Sequence, residues 1–187
     1  MWRFINAVGL IAAVTTAMNA NAQQSSTAPP STGMTAIPGS GAAPETVRTA
    51  DAVPIAVSNN LFEIESSRLA LQRSQSPAVK EFANRMVAEH TRAASKLKAA
   101  LNEANLPIPP EKLSAKDQSV YDSLNTTQGA AFDKAYVEAQ YNAHVEAVNL
   151  FRAYSEHGDN AHLKELSARY LPTLEDRLGQ ISNLRTP

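Results

Sequence analysis

Cysteine is absent from the 187-residue sequence. Disulfide bonds, thiolate metal sites, iron–sulfur clusters and thiol chemistry are therefore excluded. An excess of positive charge is also lacking, because 17 Lys and Arg residues stand against 18 Asp and Glu residues, for a formal net charge of −1. A protein that binds nucleic acid needs a clustered cationic face to meet the phosphates. The sequence therefore argues against nucleic acid as a partner.

Signatures of common enzyme classes are missing as well. The sequence contains no strand pattern, no Gly-rich phosphate-binding loop and no Gly-x-Ser-x-Gly nucleophile elbow. No group of residues forms a complete catalytic constellation. The sequence therefore favours a protein that is not an enzyme, and it predicts no cofactor, with a transition metal as the one alternative.

The amino terminus has the parts of a secretory signal peptide. A short basic start, Met1–Arg3, precedes residues 5–18, which carry no charge, and Ala20–Ala22 supplies the small residues that signal peptidase accepts. The uncharged run is shorter than the roughly 20 residues of a membrane-spanning helix. We predict a signal peptide over residues 1–22 and export to the periplasm or cell envelope, with an uncleaved anchor as the alternative.

Residues 23–50 consist mainly of Ser, Thr, Pro, Ala, Gly and Gln, with almost no large apolar side chain. Such a segment cannot bury enough surface to offset its conformational entropy. We therefore predict a disordered linker over this range, followed by a folded domain over residues 51–187.

Apolar residues of the folded domain recur at the helical period. They predict four long helices, at about 57–74, 77–105, 130–157 and 160–183, and a short helix at about 114–126. The Pro-rich segment Leu106–Pro110 stops the second long helix and should cross the end of the domain in extended form. The predicted fold class is all-α: an antiparallel four-helix bundle of the ferritin-like type, with a Pro-rich crossover and a short extra helix between the second and third long helices.

Helical-wheel positions place several polar side chains inside the apolar arcs of the long helices. The ionisable residues among them are Glu65, Arg68, His90, Asp133, His144 and Arg177. Sequence distances from the turns near Ser76 and Gly158 put Glu65 and His90, and likewise His144 and Arg177, about one helical turn apart in height. The sequence therefore predicts that these groups meet inside the domain.

Two interpretations of these inward residues remain open. In the first they form a buried polar network, with Glu65 paired to Arg68 or Arg177, because buried charges are costly without partners. In the second, Glu65, His90 and His144 bind a metal, because carboxylate and imidazole suit transition ions. The Glu-x-x-His pairs of di-iron bundles are missing, and Arg177 would bring a cation to the ion. The sequence favours the network.

Several segments resemble the bacterial family known as domain of unknown function 4142. They are residues 60–65, 82–91 and 129–136, together with His144 and Leu171–Pro172. Members of that family are exported proteins with a ferritin-like helical bundle, often described as outer-membrane proteins. The resemblance thus implies export and this fold, but it implies no established activity.

One position departs from the family pattern. The family usually has a histidine where this sequence has Arg177. If the inward histidines of the family bind a metal, the resemblance implies that this chain has lost one ligand.

Three functional hypotheses follow. The first is a non-enzymatic envelope protein that contributes to stress tolerance or binds a partner, whose identity the sequence leaves unknown. The second is a metal-binding or redox protein of ferritin-like descent with an incomplete site. The third is peripheral association with the outer membrane, which the family description prompts. The helices give this third hypothesis little support, because they lack a basic amphipathic face.

Overall fold

The computed structural model describes residues 45–185. The predicted signal peptide and most of the predicted linker lie outside the described residues. Within this range the chain is all-helical, which confirms the all-α part of the predicted fold class, and the only extended pairing is an isolated bridge between Val47 and Gly158. The helices are α1 (Thr49–Arg73), α2 (Pro77–Glu103), α3 (Ala115–Asn125), α4 (Gly129–His157) and α5 (Ala161–Arg185). None of these helices is both long and apolar enough to cross a membrane.

The four long helices pack as two hairpins. Helix α1 pairs with α2 and helix α4 with α5, while α1 also packs on α4 and α2 on α5. Each tight turn is fixed by a helix cap: the Ser76 hydroxyl accepts from the Val79 amide at 3.4 Å, and Asn160 Oδ1 accepts from the Leu163 amide at 3.0 Å. The longer connection between α2 and α4 contains the Pro-rich segment and α3, which packs on α1 and α4.

Helix α1 begins about two turns earlier than the sequence predicts. Pro54 lies inside it on the exposed side, where it removes only one intrahelical hydrogen bond. Burial of Ala52 and Val53 against Leu101 favours the helical extension. The Val47 amide also donates to the His157 carbonyl at 2.9 Å. Residues 47–50, which the sequence places at the end of the linker, are thus part of the folded domain.

The core consists of two apolar clusters. One surrounds Phe82, Met86 and Tyr136, and the other surrounds Leu101 and Tyr154. On α2, His90 falls in chain order between Met86 of the first cluster and Leu101 of the second. His90 therefore lies along the helix axis at the level between the two apolar clusters.

Candidate metal centre

Three buried side chains from three helices meet at this level. Glu63 of α1 and His144 of α4 have no exposed surface, and His90 of α2 is 9% exposed. One possible ligand atom from each residue lies within 4.8 Å of those from the other two. Glu63 Oε2 is 2.5 Å from His90 Nε2, and Glu63 Oε1 is 3.6 Å from His144 Nδ1. The two imidazole rings stand nearly perpendicular, with centroids 5.9 Å apart.

The hairpin geometry explains this meeting. Glu63 and His90 lie at nearly equal sequence distances before and after the turn at Ser76, so that antiparallel packing brings them to the same height. The side-chain amide of Asn59 donates to the Ala143 carbonyl at 3.1 Å, and this hydrogen bond joins α1 to α4 beside His144. The helix cap at Ser76 and the hydrogen bond between Asn59 and Ala143 thus help to set the height at which the three side chains meet.

A hydrogen bond at Nδ1 fixes the orientation of each imidazole. His144 Nδ1 is 2.9 Å from the Gln140 carbonyl oxygen, and His90 Nδ1 is 3.0 Å from Asn60 Oδ1. Both oxygens are acceptors, so each Nδ1 is the nitrogen that carries a proton. For His90 this is the outer hydrogen bond that metal-ligating histidines usually make, with Nε2 turned towards Glu63. For His144, whose Nδ1 also lies near Glu63, Nε2 is the nitrogen without a hydrogen-bond partner among the described residues.

Several polar atoms of the cluster have no hydrogen-bond partner among residues 45–185. They are Oε1 and Oε2 of Glu63 and Nε2 of His144. The 2.5 Å approach of Glu63 to His90 is an ion-pair contact without the geometry of a regular hydrogen bond. Buried polar atoms in folded proteins nearly always have partners. A bound cation would satisfy all of these lone pairs, so the residues present fit a metal ion.

The two opposite charges hold each other in place when no ion is bound. Burial alone opposes a charged carboxylate, but the attraction of His144 and His90 outweighs it and sets the pKa of Glu63 below 4.5. Burial likewise opposes a charged imidazole, but the Glu63 carboxylate outweighs it and raises the pKa of His90 above 6.5. Both directions favour a buried carboxylate–imidazolium pair, with His144 beside it, in the metal-free cluster.

The packing around the cluster is tight because α1 presents serines to α4. Ser66 Oγ accepts from Gln140 Nε2 at 2.9 Å, and Ser67 Oγ lies 2.9 Å from the hydroxyl of Tyr136. All four side chains are fully buried. The ring of Phe82 closes another side, 6.2 Å from the His144 ring. Small hydroxyl side chains thus let α1 approach α4 closely enough for Glu63 to reach His144.

The predicted inward positions of Glu65 and Arg68 are wrong. The Glu65 side chain is 34% exposed and pairs at 2.7 Å with Arg68, which is 54% exposed. Helix α1 is covered by α2 on one side and by α4 and α3 on another, so its apolar arc is wide. The centre of so wide an arc does not identify the residues that are most deeply buried. The stripe that points most deeply inward is small or polar, and its members are Asn59, Glu63, Ser66 and Ala70.

The predicted network does not form around Arg177 and Asp133 either. Arg177 donates from Nε and Nη2 to Glu89, at 2.6 and 2.8 Å, and pairs with the exposed Asp176. Asp133 lies about 16 Å along α4 from His144 at 1.5 Å per residue, too far to reach it, and its buried Oδ1 has no hydrogen-bond partner within the described range. Of the six predicted residues, His90 and His144 come together in the interior, and Glu65 and Arg68 form their predicted pair at the surface.

Sequence comparison assigns the family. Residues 35–184 match the family model described as domain of unknown function (DUF4142), so the chain belongs to that family. The motif at residues 60–65 contains Glu63, so it was a signal that could have directed attention to this carboxylate rather than Glu65. No curated protein matches this chain.

The solved structures that share the fold include the following three. CopM in its Cu(II)-bound form has a TM-score of 0.63 at 15% identity, over 75% of this chain and 97% of that chain. CopM co-crystallised with Ag has a TM-score of 0.59 at 16% identity, over 74% and 95% of the two chains. A DUF305 protein from Streptomyces coelicolor, described as secreted, has a TM-score of 0.58 at 15% identity, over 71% and 89%. At these identities the likeness concerns the fold alone.

Proposed function

We propose that this chain is an exported binding protein, not an enzyme, that holds one transition-metal ion at Glu63, His90 and His144. The observation that carries the proposal is the convergence of three buried ligand groups, in which both Glu63 oxygens and His144 Nε2 have no hydrogen-bond partner among the described residues. Buried polar atoms without partners destabilise a fold, so a helical domain has no structural reason to gather them.

Copper is the first candidate for the ion. Two imidazoles and one carboxylate suit Cu, Zn, Fe or Ni, whereas Ca²⁺ and Mg²⁺ prefer oxygen ligands alone. Among divalent first-row ions, nitrogen and oxygen ligands bind Cu²⁺ most tightly. CopM, which shares the fold, has solved forms with copper and with silver, and this supports the same choice here.

The residues of the chain have distinct roles in this proposal. Asn60 and the Gln140 carbonyl hold the protonated Nδ1 atoms, which leaves Nε2 of each histidine as the atom that binds the ion. Glu63 supplies the negative charge and gives up its ion pair with His90, whose Nε2 proton must leave when an ion binds. A bound ion would supply Lewis-acid or one-electron chemistry.

Burial of the ligands favours retention over exchange. Glu63 and His144 have no exposed surface, and the His90 side chain exposes 11%. Of the three ligands, only His90 has surface in contact with solvent. We therefore propose sequestration of copper, a form of envelope stress tolerance, as the role of the protein.

The proposed location rests on other observations. Export to the periplasm or envelope is inferred from the signal-peptide pattern of residues 1–22 and supported by the secreted DUF305 protein of the same fold. Two helical hairpins joined by one long connection support the proposal of a four-helix, ferritin-like plan. Outer-membrane association stays a proposal that only the family description prompts.

A copper titration tests the proposal. The exported chain is stripped with a chelator and titrated with Cu(II) against a competing chelator, and pulsed electron paramagnetic resonance then counts the coordinated imidazoles. We expect one ion per chain with two imidazoles. His90→Ala and His144→Ala should each remove this binding, whereas the surface variants His157→Ala and His162→Ala should not. Wild-type protein that binds no stoichiometric ion would leave the cluster as a buried polar network and overturn the proposal.

A further inference from the structure

A cavity of about 170 Å³ opens among α1, α2, α4 and α5. Its walls are mainly apolar, and His90 is the one residue that it shares with the candidate metal centre. The volume is comparable to that of an engineered cavity of about 150 Å³ that binds benzene. Apolar side chains that line it include Val53, Leu97, Leu150, Phe151, Leu166 and Leu174.

The rim of the cavity carries exposed apolar side chains. Ile55 is 54% exposed and Ile108 is 41% exposed, and both line the opening. They are the exposed large hydrophobic residues of the described range. Exposed apolar surface around a concave opening is typical of a binding groove.

One polar atom within the cavity walls lacks a partner. The hydroxyl of Tyr170 is buried and makes no hydrogen bond with any described residue. The Lys96 ammonium lies 5.4 Å from the centre of the Tyr170 ring. A phenol that can donate therefore stands beside a positive charge at the cavity wall, and the two together are suited to an anionic oxygen.

The charges at the rim favour an anion as well. Lys96 and Lys98 both line the opening and are exposed. Of the two acidic residues there, Glu146 is neutralised by an ion pair with Lys116, which leaves Glu111. The rim thus carries more unpaired positive than negative charge.

We propose that this cavity binds a small amphipathic carboxylate, such as a short- or medium-chain fatty acid. The alkyl chain lies along the apolar walls and is removed from water. The carboxylate accepts a hydrogen bond from the Tyr170 hydroxyl and pairs with Lys96. An apolar cation would be repelled by the positive charge at this rim. A polar solute would gain no free energy from contact with the apolar walls. The site does not depend on metal binding.

Octanoate is the probe that tests this site. Calorimetric titration of the exported chain in excess chelator should give saturable binding of one octanoate per chain, with clearly weaker binding of octanol and none of octylammonium. Tyr170→Phe and Lys96→Met should each weaken octanoate binding about tenfold, the effect of losing one charge-assisted hydrogen bond. Ala94→Leu, which fills the cavity from α2, should abolish it.

Matched controls lie away from the cavity. Tyr121→Phe and Lys134→Met change the same residue types outside its lining, and neither should alter octanoate affinity. Glu63→Gln should also keep octanoate binding, which separates this site from the metal centre. The proposal is overturned by non-saturable binding, by unchanged affinity in both Tyr170→Phe and Lys96→Met, or by a dimer that dissociates in Ile55→Glu and so assigns the rim to a second copy.

Discussion

Oε2 of Glu63 lies 2.5 Å from Nε2 of His90 in the interior of the helical domain, where the carboxylate has no contact with solvent. Such buried pairs are rarely a source of stability, because removing both charges from water costs about as much as their attraction returns. The neighbouring His144 adds a third polar group with an unpartnered Nε2. The arrangement is therefore better explained by what it can bind than by what it contributes to folding.

We predict that the metal-free cluster is neutral or unfavourable for stability. His90→Leu alone should lower the free energy of unfolding by about 3–5 kcal/mol, because it leaves the Glu63 carboxylate buried without its partner. The triple variant Glu63→Leu, His90→Leu, His144→Leu should be as stable as the wild type or more stable, because no charge is left buried. Urea unfolding in excess chelator measures both. A triple variant clearly less stable than the wild type would mean that the cluster stabilises the fold.

The hydrogen bond between Ser67 and Tyr136 should act as a coupled pair. Ser67→Ala leaves the fully buried Tyr136 hydroxyl without a partner and should cost about 1–3 kcal/mol of unfolding free energy. Tyr136→Phe combined with Ser67→Ala should cost less than the two single changes together, because no unpaired group remains. A double-mutant cycle by urea unfolding checks this. Strict additivity would show that the two hydroxyls do not interact.

Asp159 should make stability depend on pH at the start of α1. Hydrogen bonds from the Thr49 side chain and amide, the latter at 2.9 Å, set the pKa of Asp159 below 3.8. A group with a depressed folded-state pKa stabilises the protein above its unfolded pKa, and this contribution disappears as pH falls through the folded value. The difference in melting temperature between wild type and Asp159→Asn should thus be constant from about pH 7 to pH 5 and shrink below pH 3.8.

The control for this pH dependence is Asp122→Asn on the exposed face of α3, whose carboxylate accepts from Gln118 one turn earlier. Its difference from wild type should change little over the same range. A difference for Asp159→Asn that stays constant down to pH 3 would contradict the account.

The sequence could predict the helices because their signals are local. Ser76–Pro77 and Asn160 stand at helix starts where their caps are observed. The start of α1 was missed because Pro54 is a helix breaker by local rules, whereas burial of Ala52 and Val53 depends on residues that are distant in sequence. Local patterns thus predicted the helices, whereas tertiary packing determines where α1 begins.

The site was predicted only in part for a similar reason. His90 and His144 lie within clear apolar arcs, so a helical wheel finds them. Glu63 lies in the stripe of small and polar residues on α1. A helical wheel locates the inward face from the apolar residues, and it therefore placed Glu65 in the interior instead of Glu63. The spacing of Asn59, Glu63, Ser66 and Ala70 follows a helical stripe, and this spacing was the available signal.

The most direct test of the account compares two glutamates that lie two residues apart on α1. Glu63 is buried against both histidines, whereas Glu65 is partly exposed and pairs with Arg68 on the surface. Affinity for Cu(II) is measured by chelator competition for wild type, Glu63→Gln and Glu65→Gln, with circular dichroism to confirm that each variant is folded. We predict that Glu63→Gln lowers the affinity at least about tenfold through loss of a ligand charge and that Glu65→Gln leaves it unchanged. Equal affinities for wild type and Glu63→Gln, or a loss confined to Glu65→Gln, would contradict the account.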